Sequence, residues 1–283
     1  MADTLTDSAA SAPAVPAPRL RPARPATELG WSVEEYASLY SIRNWGKGFF
    51  DVNAAGHVVV RPTRNPAVEV DLYEVVAGMR ERGFRTPLLI HFSDLLKQRL
   101  IDIADAFRGA ILEHGYHGTY QGVFPIKVNQ QRHVVEEIVE FGRPWNYGLE
   151  AGSKPELLIA LAASQEPGGL IICNGYKDEK YIETAILAKG FDKTVVIVLE
   201  RIEELDITFK AAEKLGIRPL LGVRAKLTAK GIGRWADSAG DRAKFGLTAT
   251  EIVEVCDRLA ERGMLDCLQL LHFHIGKIGR AHV

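Results

Sequence analysis

The chain has 283 residues, 47% of them hydrophobic and 25% charged, and a formal net charge of -1. That balance is typical of a globular protein, and near-neutrality gives no electrostatic case for nucleic acid or an acidic membrane surface as a partner. The length suits one large α/β domain or two ordinary ones, and no apolar run reaches the roughly 20 residues that a bilayer-spanning helix needs.

Residues 1–26 are Ala, Pro, Ser and Arg with almost nothing to bury, and a disordered tail is expected there. They hold no continuous apolar stretch before a cleavage site, which argues against a secretory signal, and Asp3 and Asp7 argue against an organelle transit peptide. Residues 27–86 are expected to form a separate N-terminal segment. It has a short helix after Trp31, a β-hairpin turning near Gly56 between Phe49-Phe50 and Val58-Val59-Val60, and an amphipathic helix over 71–82 closed by Gly83.

After Pro87 the pattern alternates. The run Leu88–Phe92 precedes a helix through Ile101, Ala104 and Ile111, and strand-like runs recur near 120–128, 145–149, 170–173, 195–199, 220–223 and 268–273. Helical stretches lie between them, one opened by the capping box Thr248-x-x-Glu251 and closed by Gly263. Val195–Leu199 is apolar without alternation, as a parallel strand covered on both faces should be. Repeated βα units imply a doubly wound sheet or a (β/α)8 TIM-like barrel. Lys127, Glu150, Asn174, Glu200, Arg224 and His274 each fall at or just past the C-terminal end of a different strand. In a barrel those ends converge on one face, where active sites are built. A dinucleotide-binding sheet wants Gly-x-Gly-x-x-Gly after its first strand, and Gly231-Ile-Gly233 is late and followed by Arg-Trp. The barrel, over 87–277, is the expected fold.

Lys127 is the most informative residue, a lone cation directly after the apolar run Val123–Ile126. A lysine at the mouth of a buried strand can be desolvated, which makes its amine a nucleophile toward carbonyls, although such a residue can also simply reach water. Glu150, Glu156, Arg224 and His274 would surround it. Ser153-x-x-Glu156 reads equally as a capping box for a helix at 154–163, and Arg224 as a structural ion-pair partner. His272 and His274 share a strand face and could ligate a metal, but barrel hydrolases that use His-x-His carry it on an early strand. The metal site stays open at this point. Cys173, Cys256 and Cys267 are odd in number and set in apolar contexts, so buried thiols in a reducing, cytoplasmic compartment are expected.

Six segments, in order, carry a more specific signal: Gly122-Val-Phe-Pro-Ile-Lys127-Val-Asn-Gln, Tyr147-Gly-Leu-Glu-Ala-Gly-Ser153-Lys-Pro-Glu156, Ile172-Cys-Asn-Gly-Tyr-Lys-Asp178, Leu221-Gly-Val-Arg224-Ala-Lys-Leu, Lys244-Phe-Gly246 and Leu271-His-Phe-His274-Ile-Gly276. Together they closely resemble the biosynthetic arginine decarboxylase family, a fold-type III group that uses pyridoxal phosphate. The resemblance implies that Lys127 holds pyridoxal phosphate covalently, that His274 stacks on the pyridine ring, and that Glu150, Ser153 and Arg224 line the cofactor pocket. It implies decarboxylation of L-arginine to agmatine and CO2 in polyamine biosynthesis, a Mg2+ requirement, and a homo-oligomer with active sites shared between subunits. A pyridoxal-phosphate-binding regulatory protein without catalysis, or a decarboxylase of another basic amino acid, is the alternative.

The family pattern continues Gly-Ser-Gln where this chain reads Gly276-Lys277-Ile278. The last barrel strands, the phosphate-binding loop and a C-terminal β-domain are expected to be absent, leaving a fragment of the parent enzyme without activity. Ile278–Val283 read as a translated sequencing adapter, foreign to the natural protein, and amplification of the locus from genomic DNA would test this.

Overall fold

The structure is a computed structural model that describes residues 30–164, 169–227 and 245–274. The tail over 1–26, Gly231–Gly233, Lys244, Gly276 and Ile278–Val283 lie outside the described residues. Contacts divide the chain into two compact units, Met1–Gln98 and Arg99–Val283.

In the first unit, helix α1 (Val33–Leu39) opens on a capping box in which Ser32 and Glu35 satisfy each other's free N–H groups. After α2 (Ile42–Gly46), strands β1 (Phe50–Val52), β2 (Val58–Val60) and β3 (Val70–Asp71) form an antiparallel sheet, with Phe50 opposite Val60 and Val60 opposite Val70. The expected hairpin is present. Asp71 caps α3 (Leu72–Glu81) by accepting from the N–H groups of Tyr73 and Glu74. Leu88–Phe92, expected to be strand-like, forms no strand, and Leu89 is exposed. Helix α4 (Ser93–Glu113) follows it directly.

The second unit is a six-stranded parallel sheet: β4 (Val123–Pro125), β5 (Gly148–Ala151), β6 (Leu170–Cys173), β7 (Thr194–Leu199), β8 (Leu220–Ala225) and β9 (Leu268–Phe273). Helices α5 (Arg132–Gly142), α6 (Lys154–Ala163), α7 (Glu179–Lys189), α8 (Glu203–Leu215) and α9 (Ala249–Glu261) lie between successive strands. Spatial order follows chain order from β4 to β9. A doubly wound sheet reverses direction at a switch point, whereas a barrel does not, so the monotonic order favours the barrel.

Alternation along each strand separates two cores. Leu149, Ile171, Cys173, Val195, Ile197, Leu199, Leu221 and Val223 meet the helices through Leu157, Ile182, Ile186, Leu205, Phe209 and Leu259. On the opposite face a smaller cluster of Ile172, Val196 and Val198 packs with Val123, Leu170, Leu220 and Leu270, as the interior of a barrel does. At about 25 cal/mol per Å2 of apolar surface, the larger of the two supplies most of the stability.

Two strand boundaries differ from expectation. The first strand stops at Pro125, which has no N–H for the ladder, and the chain turns through a 3-10 turn, Ile126–Val128. The next begins at Gly148, after a 3-10 turn Arg143–Trp145 that ends on Asn146 at φ 50°.

Candidate active site

Parallel strands and their alternation bring the candidate residues to one end of the sheet. Glu150 is the Cα partner of Ile172, Arg224 is that of His272, and Asn174, Glu200 and His274 directly follow β6, β7 and β9. Lys127 sits in the turn after β4, not on the strand itself. All six C-terminal ends therefore carry a polar or charged group toward the same region.

The Lys127 Nζ lies 3.6 Å from Glu150 Oε1, with the lysine side chain 62% exposed and the glutamate 9%. Activation of the amine by its own desolvation, an expectation from sequence, is thus not what this site provides. Its carboxylate neighbour is the buried partner. Burial pushes the Glu150 carboxyl above the usual range, opposed by the Lys127 charge and a hydrogen bond from Asn174.

Arg224 Nη1 donates to Glu200 Oε2 at 3.1 Å. Burial holds His272 below the ordinary imidazole value, with the Arg224 charge adding to the effect, and the same two causes in the same order act on His274. Both shifts favour the neutral form of the ring. Among the described residues, three buried side-chain atoms, Glu150 Oε1, Asn174 Oδ1 and His272 Nδ1, have no hydrogen-bond partner. Buried polar atoms without partners are rare enough in folded proteins that three around one mouth call for a ligand to meet them.

Ser153 is the N-cap of α6, with Glu156 N–H donating to its Oγ at 3.5 Å. The reciprocal half of the expected capping box is missing. Glu156 instead takes the N–H of Gly152 at 2.7 Å and a longer bond of 3.4 Å from Gln130 Nε2, which ties the loop after β5 to the turn after Lys127. The box at Thr248 and Glu251 is complete. Cys173 and Cys267 are buried and Cys256 partly so. Burial pushes the Cys173 thiol up to about 12, which makes it inert near neutrality. Among the described residues no group of three or more His, Cys, Asp or Glu is placed to hold a metal ion, and His272 and His274 have no third ligand beside them.

Residues 102–278 match the family model described as the pyridoxal-binding domain of pyridoxal-dependent decarboxylases. The chain belongs to this family. A curated biosynthetic arginine decarboxylase of Gloeobacter violaceus is 58% identical over 246 residues, covering 87% of this chain and 38% of that protein. The crystal structure of the biosynthetic arginine decarboxylase of Campylobacter jejuni aligns with a TM-score of 0.73 at 33% identity, over 84% of this chain and 38% of that one. A diaminopimelate decarboxylase from M. jannaschii shares the fold, with a TM-score of 0.61 at 18% identity, over 81% of this chain and 49% of that one. The chain thus spans little more than a third of the length of its curated arginine decarboxylase relative. For a pyridoxal-dependent decarboxylase the site has fitting parts: an accessible primary amine, imidazoles shifted toward the neutral form and, among the described residues, three partnerless buried polar atoms.

Sequence reasoning missed Lys177 and Glu204. Both are fully buried, and their side chains meet at 3.1 Å. The one signal for them was the four-residue step from Glu200 to Glu204 at a strand-to-helix junction, which points a first-turn carboxylate back at the strand end.

Proposed function

We propose that this chain forms the cofactor-binding part of an enzyme that decarboxylates L-arginine to agmatine and CO2, with Lys127 as the covalent anchor of pyridoxal 5'-phosphate. The observation that carries the reading is the accessible Lys127 amine paired with the buried Glu150 carboxyl at the mouth of the parallel sheet. Identity of 58% to a curated arginine decarboxylase supports arginine as the substrate.

When bound, pyridoxal phosphate supplies an electron sink for the pair of electrons left as CO2 departs. The chain's own groups bind and orient. Lys127 presents its amine, held within 3.6 Å of Glu150 Oε1. Glu150, its acidity weakened by burial, can keep or yield a proton beside that amine. His274, shifted toward its neutral form, offers a flat ring face, and Arg224 sets a fixed cation beside it. Ser153 orders the loop after β5 by capping α6. Mg2+, a cytoplasmic location and a homo-oligomer with shared sites complete the proposal. They are supported by the family resemblance and, for the compartment, by three unpaired cysteines.

The test is to add pyridoxal phosphate to the purified protein, reduce with borohydride and map the modified lysine by mass spectrometry. Modification of Lys127, abolished by Lys127→Ala, is expected, and stoichiometric labelling of another lysine would sink the assignment. Agmatine release from arginine by the full-length protein, compared with its turnover of ornithine and lysine, separates an arginine enzyme from a decarboxylase of another basic amino acid and from a binding protein without catalysis.

A further inference from the structure

We propose that Glu200 is a positioning residue for Arg224, and that the buried Lys177–Glu204 pair fixes Glu200. The inference rests on Arg224 belonging to the site proposed above. Four charges, two cations and two carboxylates, run as a chain across three consecutive strand ends. Lys177 Nζ, on a side chain 0% exposed, lies 3.1 Å from Glu204 Oε2. Glu204 Oε2 accepts the Glu200 N–H at 3.0 Å, and its Oε1 accepts the Lys177 N–H at 3.1 Å. Glu200 Oε1 accepts the Gly175 N–H at 2.8 Å, leaving Oε2 for Arg224 at 3.1 Å. Each carboxylate oxygen in the chain is thereby committed, and the Glu200 side chain has one direction left in which to point.

A merely stabilising role explains this poorly. Replacing a buried ion pair by apolar groups of similar size is often neutral or favourable, so the fold gains little from keeping one. What such a chain supplies is fixed geometry. Arg224 is the Cα partner of His272, whose buried Nδ1 has no partner among the described residues. The charged and titratable groups that act on His272 are Arg224 on β8, Glu200 at the end of β7, His274 on its own strand and Lys127 after β4. After burial, Arg224 is the largest of the effects that lower the proton affinity of this ring and of His274 beside it, so its placement bears on both.

The test is the double variant Lys177→Met/Glu204→Leu, which leaves the net interior charge unchanged. Any movement of the His272 titration then reports geometry. With histidines labelled and His272 assigned by His272→Gln, its NMR titration midpoint is expected to rise as Arg224 is released from beside it. A folded double variant whose His272 titrates as in the unaltered protein would overturn the proposal. Should that variant fail to fold, Glu200→Gln decides. The slowly exchanging Arg224 guanidinium signal expected in the unaltered protein should disappear in it, and its persistence would equally overturn the proposal. Neither readout involves pyridoxal phosphate, so failure of Lys127 labelling would refute the cofactor reading and leave both measurements standing.

Discussion

Lys127 and Glu150 divide the work of one ion pair unequally. The lysine is mostly in water and the carboxylate is not, so substituting the two should have different consequences for stability. Lys127→Met removes an exposed cation and is expected to change folding stability by no more than about 0.5 kcal/mol, while abolishing cofactor attachment. Urea denaturation alongside borohydride labelling checks both halves. Glu150→Gln should behave differently because the glutamate's proton affinity is raised in the folded state, by burial first. The native protein then binds that proton more tightly than the unfolded chain, so stability is lost as pH rises from the ordinary glutamate value through the raised one. Glutamine has no proton to lose. The variant should match the unaltered protein at a pH below the glutamate range and be the more stable of the two at neutral pH. A stability difference that is the same at both pH values would show that burial of the charge is not the cause.

At the level of elements, the loops after β5, β6 and β7 are tied to one another. Gly175, after β6, has φ +74°, and a Cβ there would sit 2.2 Å from the backbone oxygen of Gly152 after β5. Its N–H also holds Glu200. Gly175→Ala therefore combines a left-handed backbone with a collision against main chain that cannot rotate away. A loss of at least about 2 kcal/mol is expected, measured by thermal or chemical denaturation. A variant within experimental error of the unaltered protein would refute the constraint. Much of the sheet was readable beforehand. Leu170–Cys173 is an apolar run with a sharp polar end, Leu268–Phe273 a mixed one that carries Gln269 and His272, and both strands match expectation. Pro125 and Asn146 shifted the starts and stops of β4 and β5, because a missing N–H and a left-handed residue act on single bonds that periodicity averages over. The Lys177–Glu204 pair was invisible for a related reason. Charge patterning assigns a loop lysine to solvent, and only the three-dimensional meeting of the β6 and β7 ends buries it.

Across the whole molecule, β4 and β9 are the two edges of the parallel sheet among the described residues. They differ in how well they are protected. The β4 edge is short and ends on a proline, a feature that discourages strand addition. The β9 edge is six residues long, and its helix-side face continues the row of Val223 with Leu271 and Phe273, 64% and 52% exposed. An unpaired edge bordered by exposed apolar side chains is the combination that drives association between copies of a chain. We expect the 283-residue chain to self-associate as its concentration rises, with scattering that grows faster than in proportion to it. Leu271→Lys/Phe273→Lys places two cations on that face without touching the mouth residues Lys127, Glu150 or Arg224. It should lower scattering several-fold at equal concentration while leaving the helix content by circular dichroism unchanged. Scattering unaltered by the two lysines would place the association surface elsewhere than on β9.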